Sequence, residues 1–368
     1  MSRPYRIISA DSHVNPSPAI YAERLPREYR DRAPKVFEKG GEEVAVFEGR
    51  EEKFEMLASV AGMGYENYKA DAKSYQEGRA GGYDAKARLV DMDTDGIQAD
   101  VLFGSGSGGG VRLKTEDRPF RFALMQAYND WLGDYCKVAP GRLIGIAEIP
   151  HWDVELAVGE ARRARKMGLR GVAIPAIPTI APGDRSYLDR VYEPLWSALE
   201  ELEMPAHMHL GTRPVTAGID RNFFVRLSTN KAVMAEPIAS MLFSGVLERH
   251  PELKVVSVES GVGWMAFLVP WMDNVYERHR HWTKLRLPEK PSHYFQRQVR
   301  ATFIEDPVGV RERHTIGISV IMWSNDYPHS DSTWPHSRKA IDEQFAGVPA
   351  ADRDAMVYGN AAALYGVK

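Results

Sequence analysis

The 368-residue chain contains a single cysteine, Cys136, so no disulfide bond can form within it. We therefore expect it to work in a reducing compartment, the cytoplasm. The first residues contain no apolar stretch of the kind found in secretory signal peptides, which agrees with this expectation. Cys136 follows Trp131 and Leu132 in a helical pattern, and this context is typical of a small core residue rather than a nucleophile.

The sequence also lacks a long hydrophobic run and a surplus of charge of one sign. No segment approaches the roughly 18 apolar residues that a membrane-spanning helix needs. The formal net charge is −3, from 47 basic and 50 acidic residues, whereas nucleic-acid-binding domains usually carry a basic surplus. We expect neither a membrane nor a nucleic acid as a partner.

Two catalytic or nucleotide-binding motifs are missing as well. The glycine-rich stretch 104–110 does not end in the Gly-Lys-Ser/Thr of a phosphate-binding loop, so we predict an ordinary mobile loop there. No G-x-S-x-G element indicates a serine hydrolase.

Short β-rich runs alternate with helical stretches along almost the whole chain, as expected for βα units that form a parallel sheet. Eight strands in this order favour an α/β fold of the (β/α)₈ TIM-barrel type over an open, doubly wound sheet. The predicted strands span residues 6–13, 98–103, 142–149, 171–176, 205–210, 254–259, 300–304 and 319–326. The predicted helices span 120–138, 154–167, 188–203, 236–250 and 263–280.

The spacing between the first two strands is far longer than a crossover helix requires. We therefore predict one barrel domain over residues 1–368, with an insertion at about 16–82 that lies over the mouth of the barrel. Its aromatic residues predict a packed element, which could act as a lid or a dimer contact. A surface subdomain without a direct role is the alternative.

Polar residues follow the apolar part of the first strand. Asp11 and His13 are two residues apart, so their side chains point to the same face of that strand. Both residue types bind metals, but a strand-end Asp that caps a turn and a locally hydrogen-bonded His would give the same pattern. The pair alone is a weak signal.

The fifth and sixth strands also end in titratable residues. His207 and His209 share a face of the fifth strand, and buried histidines are costly unless they have partners. His209 is the better ligand candidate, whereas His207 lies one layer deeper and is a candidate for orienting a ligand or for catalysis. An ordinary core histidine fits position 207 equally well. Glu259 follows an apolar strand, so it requires a cation, a hydrogen-bond donor or a raised pKa, and is a candidate for acid–base chemistry.

The eighth strand ends at Asp326, where a carboxylate could bind a metal or serve as an acid or base. In the loop that follows, His329 and Trp334 are candidates for substrate contact. Arg213, just after the fifth strand, could pair with a substrate carboxylate, although an ordinary surface arginine fits equally well.

Asp11, His13, His209 and Asp326 together form a set of two carboxylates and two imidazoles. Such a set suits one divalent cation, with Zn²⁺ favoured and Mn²⁺ as the alternative. Two carboxylates would neutralise the ion, which favours binding of an anionic substrate oxygen.

The whole pattern resembles the amidohydrolase superfamily, in particular the branch that includes aminocarboxymuconate semialdehyde decarboxylase and γ-resorcylate decarboxylase. The resemblance runs from residue 9 to residue 362, apart from the insertion. It is based on the segments Ser9-Ala10-Asp11-Ser12-His13, Leu89-Val90-Asp91-Met92-Asp93 with Gly96-Ile97, 205–211, His250-Pro251-Glu252-Leu253-Lys254 into Glu259, Ser324-Asn325-Asp326-Tyr327-Pro328-His329 and Tyr358-Gly359-Asn360-Ala361-Ala362.

The resemblance implies metal roles for Asp11, His13, His209 and Asp326, and it suggests a homodimer. Two departures matter. The sixth-strand position, often a histidine in relatives, is Glu259. The fourth strand has no lysine that could be carboxylated to bridge two metals, so a single metal is expected.

Two reactions and one inactive state remain open. The preferred reading is a metal-dependent, non-oxidative decarboxylase of an aromatic or unsaturated carboxylate, in which Asp326 or Glu259 protonates the carbon that loses CO₂. The alternative is a hydrolase of an amide, lactone or C–C bond that uses a metal-activated water. A catalytically inactive barrel used for binding is the third possibility.

Overall fold

The computed structural model describes residues 5–104, 115–178, 185–211 and 222–368. The predicted mobile loop at 104–110 therefore falls almost entirely outside the described residues. Among the residues that are described, no helix combines the length and apolar character needed to cross a bilayer.

Eight parallel strands form the central sheet, and they confirm the predicted TIM barrel and all eight predicted strands. Each strand pairs with the next one along the chain. The strands are β1 (Ile8–Val14), β2 (Ala99–Gly104), β3 (Leu143–Glu148), β4 (Gly171–Ile174), β5 (Ala206–His209), β6 (Val255–Val258), β7 (Val299–Phe303) and β8 (Ile321–Trp323).

The first and last strands meet at their C-terminal ends. The backbone N–H of Asp326 donates to the carbonyl oxygen of Asp11 at 3.1 Å, and the N–H of His13 donates to that of Tyr327 at 2.6 Å. Residues more than 300 positions apart in sequence thus become neighbours, and three of the predicted metal ligands, Asp11, His13 and Asp326, lie directly at this closure.

Two hydrophobic clusters follow the two-residue period of the strands. Ala10, Phe103 and Ile146 belong to the small cluster inside the barrel. Leu102 and Ala147, one residue away on their strands, belong to the larger cluster between the strands and the outer helices. Alternate positions therefore face the barrel interior, and polar residues at the interior-facing ends of strands converge at the mouth.

Helices cover the outside of the barrel. Several begin at an aspartate whose side chain accepts backbone N–H groups of the first turn, for example Asp84, Asp117 and Asp153. The longer helices are α1 (Ala85–Asp95), α2 (Arg118–Cys136), α3 (Val154–Met167), α4 (Glu193–Glu201), α5 (Ala235–Phe243), α6 (Met265–Thr283), α7 (Pro291–Gln298) and α8 (Ser337–Gln344). Shorter helices span Ala19–Arg24, Phe223–Thr229, Val246–Arg249, Pro307–Arg311, Arg313–Ile316, Ala350–Asp354 and Asn360–Tyr365.

One predicted helix, 236–250, is divided in the structure. It forms α5 and a separate short helix, Val246–Arg249, because Gly245 takes a left-handed backbone conformation with φ of 72°. Glycine adopts this conformation without steric cost, and it interrupts the helical path.

The segment between β1 and α1 contains two small antiparallel sheets. The first pairs Lys35–Lys39 with Glu42–Phe47 and Glu42–Phe47 with Arg50–Glu52, and the second pairs Phe54–Glu55 with Asp71–Ala72. Phe47, Phe54 and Met56 are buried in the outer hydrophobic cluster, so this segment packs against the barrel. Its role as a lid or dimer contact stays a prediction.

Candidate metal centre

The four predicted metal ligands lie together at the mouth of the barrel. The Nε2 atom of His13 is 3.1 Å from Oδ1 of Asp326 and 3.6 Å from Oδ1 of Asp11. The Nε2 atom of His209 is 3.4 Å from the same Asp11 oxygen. Asp11, His13 and Asp326 are buried, and 13% of the His209 side chain is exposed.

Two acidic residues at the mouth have unusual backbones. Glu259 and Asp326, just beyond β6 and β8, have φ angles of 60° and 50°. Side chains other than glycine rarely occupy this left-handed region, and such strain is concentrated at functional sites. In both cases the left-handed φ angle comes after a regular strand. The carboxylate therefore leaves the strand direction where the chain turns away from the barrel.

The buried polar atoms of the cluster fit a cation. Both carboxylate oxygens of Asp11 and of Asp326, and both ring nitrogens of His13, make no hydrogen bond of good geometry with the residues that the structure describes. Burying such atoms without a partner is costly. Oxygen and imidazole nitrogen donors are the ligands that Zn²⁺ and Mn²⁺ accept, so this donor set matches a divalent metal.

His329 also belongs to this cluster. Its Nδ1 atom is 3.2 Å from Oδ1 of Asp326, and its ring stacks on that of His13 with centroids 3.8 Å apart. The potential ligand atoms form two overlapping triads, each within 4.8 Å: Asp11 with His13 and His209, and His13 with Asp326 and His329. The predicted role of His329 was substrate contact, and its position makes it equally a ligand candidate.

Glu259 lies beside this cluster, on the far side of His209. Its Oε2 atom is 3.6 Å from Nδ1 of His209. That nitrogen is also 2.7 Å from the carbonyl oxygen of Leu210, a contact that requires a proton on Nδ1. The Nε2 atom of His209 therefore faces Asp11 as the nitrogen suited to bind a metal. The backbone N–H of Glu259 donates to Oγ1 of Thr302 at 2.7 Å, which fixes its position.

The three histidines of the cluster differ in the direction of their pKa shifts. Burial and the neighbouring His329 lower the pKa of His13 to about 4. Burial opposes protonation of His209, but the carboxylates of Asp11 and Glu259 raise its pKa to about 9. Burial acts in the same way on His329, and chiefly the carboxylate of Asp326 raises its pKa to about 9. The neighbouring carboxylates thus favour positive charge on His209 and His329, and a divalent cation bound among them would supply that charge instead.

The pKa values of Asp326 and Glu259 are also shifted in opposite directions. Burial works against ionisation of Asp326, yet His329 and His13 hold its pKa below the usual range. Burial and the charge of Asp326 raise the pKa of Glu259 to about 8. Asp326 is therefore an ionised ligand candidate, and Glu259 is the acid that can hold a proton near neutral pH.

His207 does not join the metal ligands. It is fully buried, with Nδ1 3.2 Å from the carbonyl oxygen of Val172 and Nε2 2.9 Å from the hydroxyl of Tyr365. Burial lowers its pKa to about 3, so it is a neutral imidazole with a partner for each nitrogen. Both of its ring nitrogens are used to join β5 to β4 and to the last helix, which favours a structural role. The catalytic role of His207 stays a prediction.

The other two predicted substrate contacts have different outcomes. Arg213 lies outside the described residues. Trp334 packs against α1 and the segment before it: its Nε1–H donates to the carbonyl oxygen of Asp91 on α1 at 3.0 Å, and the guanidinium of Arg79 lies 3.7 Å from its ring centre. These contacts occupy the indole edge and one face, so the structure assigns Trp334 a packing role, and its contact with substrate stays a prediction.

Glu148 is a candidate residue that the sequence analysis missed. It ends β3 on the interior-facing side, two residues after Ile146, and burial raises its pKa. The Asn129 side chain binds both backbone groups of Glu148, at 2.8 Å and 2.9 Å. An apolar strand that ends in a carboxylate was the available signal, as it was for Glu259.

Comparison with known proteins agrees with this geometry. A family model described as amidohydrolase matches residues 10–367. A γ-resorcylate decarboxylase of Rhizobium sp. is 26% identical over 212 residues, which are 55% of this chain and 62% of that protein. The chain thus spans less than two thirds of this relative's length.

Solved structures show the same fold. An amidohydrolase from Mycobacterium avium subsp. paratuberculosis superposes with a TM-score of 0.79 at 20% identity, covering 99% of this chain and 100% of that one. A dihydroxybenzoic acid decarboxylase from a Polaromonas species, with bound manganese and an inhibitor, superposes with a TM-score of 0.66 at 17% identity, covering 99% and 97%.

Proposed function

Because the chain belongs to the amidohydrolase family, we propose that it is a metal-dependent, non-oxidative decarboxylase of an aromatic or unsaturated carboxylate. One observation supports this most directly. The buried carboxylate oxygens of Asp11 and Asp326 and the ring nitrogens of His13 make no hydrogen bond of good geometry with the described residues, and a separate acid, Glu259, lies next to this cluster. The similarity to a γ-resorcylate decarboxylase points to the same class of reaction.

The proposed metal ligands are Asp11, His13, His209 and Asp326, with His329 as a further candidate. One divalent ion is expected, Zn²⁺ first because nitrogen and oxygen donors are mixed, with Mn²⁺ as the alternative. When bound, it would supply positive charge to the substrate carboxylate and to an adjacent oxygen.

In this proposal, Glu259 gives its proton to the ring or vinyl carbon that loses CO₂. A protonated carboxyl near neutral pH suits this step, because the carbon must gain one proton for each CO₂ released. His209 positions Glu259 through the 3.6 Å contact from its Nδ1 side. Asp326, whose ionised form is stabilised by His13 and His329, would hold the metal rather than transfer a proton.

Hydrolysis of an amide, lactone or C–C bond is the second candidate function. The pair of Asp326 and His329, 3.2 Å apart, supports it, since a carboxylate with an imidazole can accept a proton from water. The substrate of either reaction is proposed to be a small carboxylate.

The experiment that tests the proposal is incubation of the metal-loaded protein with a panel of hydroxybenzoates and unsaturated diacids, with CO₂ measured directly. Release of CO₂ in equal amount to the decarboxylated product supports the lyase. Product without CO₂ from amide or lactone substrates in a parallel panel would instead assign the hydrolase. Binding of a carboxylate without turnover would indicate the inactive barrel.

We further propose that the protein is a cytoplasmic homodimer, with residues 16–82 acting as a lid or a dimer contact on the single barrel domain. The packing of this segment against the barrel supports a fixed element at the mouth. Light scattering of the purified protein tests the dimer.

A further inference from the structure

The inner face of helix α1 holds charged residues that neither proposed reaction uses. Arg88, Asp91 and Asp95 are at most 8% exposed and follow the spacing i, i+3 and i+7. Helical residues at this spacing share one face. A buried face with three charges is expensive unless each has a partner, so their partners indicate what this face does.

Arg88 has partners on two barrel strands. Its Nε–H donates to Oδ2 of Asp100 on β2 at 2.7 Å, and its Nη1–H donates to the backbone carbonyl of His13 on β1 at 2.9 Å. The guanidinium also lies over the ring of Tyr327, 4.3 Å from its centre. Arg88 therefore contacts a candidate metal ligand on one side and the residue after Asp326 on the other.

Asp91 and Asp95 hold the loop that carries Asp326. The hydroxyl of Tyr327 donates to Oδ2 of Asp91, and the side-chain amide of Asn325 donates to Oδ2 of Asp95 at 3.4 Å. The two residues that flank Asp326 are thus both bound to α1. The metal-binding carboxylate lies between two points attached to one rigid helix.

Gly81 shows how closely these parts approach one another. A methyl group built on Gly81 would lie 2.3 Å from the hydroxyl of Tyr327 and 3.0 Å from Oδ2 of Asp91. Its carbonyl oxygen accepts the hydroxyl of Tyr135 at 2.7 Å. Only a residue without a side chain fits at position 81, which lies at the end of the insertion and packs against α1 and the Tyr327 loop.

We propose that α1 sets the distance between the β1 and β8 metal ligands, and that Arg88 is a positioning residue for the metal centre. Metal–ligand bonds tolerate errors of only about 0.2 Å, so the position of each ligand backbone must be held. Elsewhere in the barrel, neighbouring strands are consecutive in sequence, and their pairing sets the spacing of the ligands. β1 and β8 are not consecutive, so the spacing of their ligands must be set in another way. Helix α1 joins the two sides of the closure between β1 and β8 through Arg88 and Asp91.

This inference rests on the proposed metal role of Asp11, His13, His209 and Asp326, but not on which reaction they serve. A plain stabilising ion pair between Arg88 and Asp100 is the competing explanation. The two differ in one measurable property: a stabilising pair changes unfolding but leaves the affinity of the folded protein for metal unchanged.

The test compares Arg88→Met, Arg88→Lys and the wild type after removal of metal and confirmation of folding by circular dichroism. Dissociation constants for Zn²⁺ and Mn²⁺ are measured by competition with a chromogenic chelator, and Co²⁺ loading gives a visible spectrum that reports ligand geometry. We expect Arg88→Met to raise both dissociation constants by about 10–100-fold, the usual effect of losing a partner that orients a ligand. Arg88→Lys should show a smaller rise and a partly restored cobalt spectrum.

Arg313→Met is the matched control. Arg313 makes the same kinds of bond, from Nε to Asp352 at 2.8 Å and from Nη1 to the carbonyl oxygen of Val310 at 3.1 Å, but in a helix that precedes β8. It should lower stability and leave metal affinity within twofold of the wild type.

The outcomes separate the ideas. A folded Arg88→Met with wild-type dissociation constants and cobalt spectrum would overturn the positioning role. If Arg88→Met does not fold, Arg88→Lys and Tyr327→Phe decide, since Tyr327→Phe removes only the bond to Asp91; wild-type affinity in both overturns the inference. A wild type that binds none of the three ions would overturn the metal centre itself.

Discussion

Ser9 and Asn325 are joined by two contacts that close the barrel beside the metal ligands. The hydroxyl oxygen of Ser9 accepts the backbone N–H of Asn325 at 2.9 Å and lies 2.8 Å from its side-chain oxygen. Ser12 donates to that same Asn325 oxygen at 3.0 Å. This buried group of hydrogen bonds lies between Asp11 and Asp326, so it links barrel closure to ligand placement.

Ser9→Ala is expected to lower the free energy of unfolding by about 1–3 kcal/mol, because the buried N–H of Asn325 loses its acceptor. Urea denaturation of the metal-free protein measures this change. Ser228→Ala, at an exposed position, is the control and should change stability by less than about 0.5 kcal/mol. Equal stability of the two variants would show that the contact between Ser9 and Asn325 contributes nothing to closure.

Asp11→Asn should remove metal binding while leaving the fold intact. The Asp11 oxygens make no hydrogen bond of good geometry with the described residues, so the amide fits in their place, and only the charge beside Nε2 of His209 is lost. In the wild type, ion at 100 times its dissociation constant should stabilise folding by about 2.7 kcal/mol. This gain should vanish in the variant, as thermal unfolding with and without Zn²⁺ will show.

Asp31→Asn, at an exposed position outside the cluster, is the control for that experiment and should keep the full stabilisation by Zn²⁺. If Asp11→Asn kept it as well, Asp11 would have to be removed from the ligand set, leaving the triad of His13, Asp326 and His329 as the alternative site.

Glu259→Gln should lower kcat by about 10²–10⁴-fold, the usual contribution of a general acid. The amide keeps the shape of the side chain but has no acidic proton to give. Metal content and KM should change little, because Glu259 belongs to neither ligand triad. Full turnover by this variant would move the proton-donor role to Asp326, and steady-state kinetics on the best substrate of the panel decides the point.

Tyr365→Phe should reduce stability without changing kcat. The variant leaves Nε2 of buried His207 without its 2.9 Å partner, at a cost of about 1–3 kcal/mol. Chemical denaturation and steady-state kinetics on the same preparation separate the two effects. A large fall in kcat with unchanged stability would support the predicted catalytic role of His207.

The sequence predicts the barrel well because its signals are local. Each strand is visible as a short apolar run whose side chains alternate between the two faces of the sheet. Seven of the eight predicted strands lie within two residues of their observed bounds, whereas the eighth, predicted at 319–326, spans only Ile321–Trp323. The same period shows that Asp11 and His13, or His207 and His209, share a face. Since parallel strands of a barrel end at one mouth, the convergence of Asp11, His13, His209 and Asp326 also follows from strand order.

Local patterns were insufficient where a residue's partner lies far along the chain. His207 and His209 look alike in sequence, yet only His207 meets Tyr365, 158 residues later. Trp334 lies in the same loop as His329. The ring of Trp334 contacts Arg79, whereas the ring of His329 stacks on that of His13. The residues next to His207 and Trp334 in the sequence do not indicate either contact.

The sequence by itself therefore determined the strand order, the faces of the strands and the polar residues at their C-terminal ends, since these depend on backbone geometry and on hydrophobic period. Only the tertiary structure decided which polar residues meet. Closure of β1 against β8 stacks the ring of His329 on that of His13, and Arg88 of α1 packs against the carbonyl of His13. These contacts join residues at least 75 positions apart in sequence, and no local pattern encodes them.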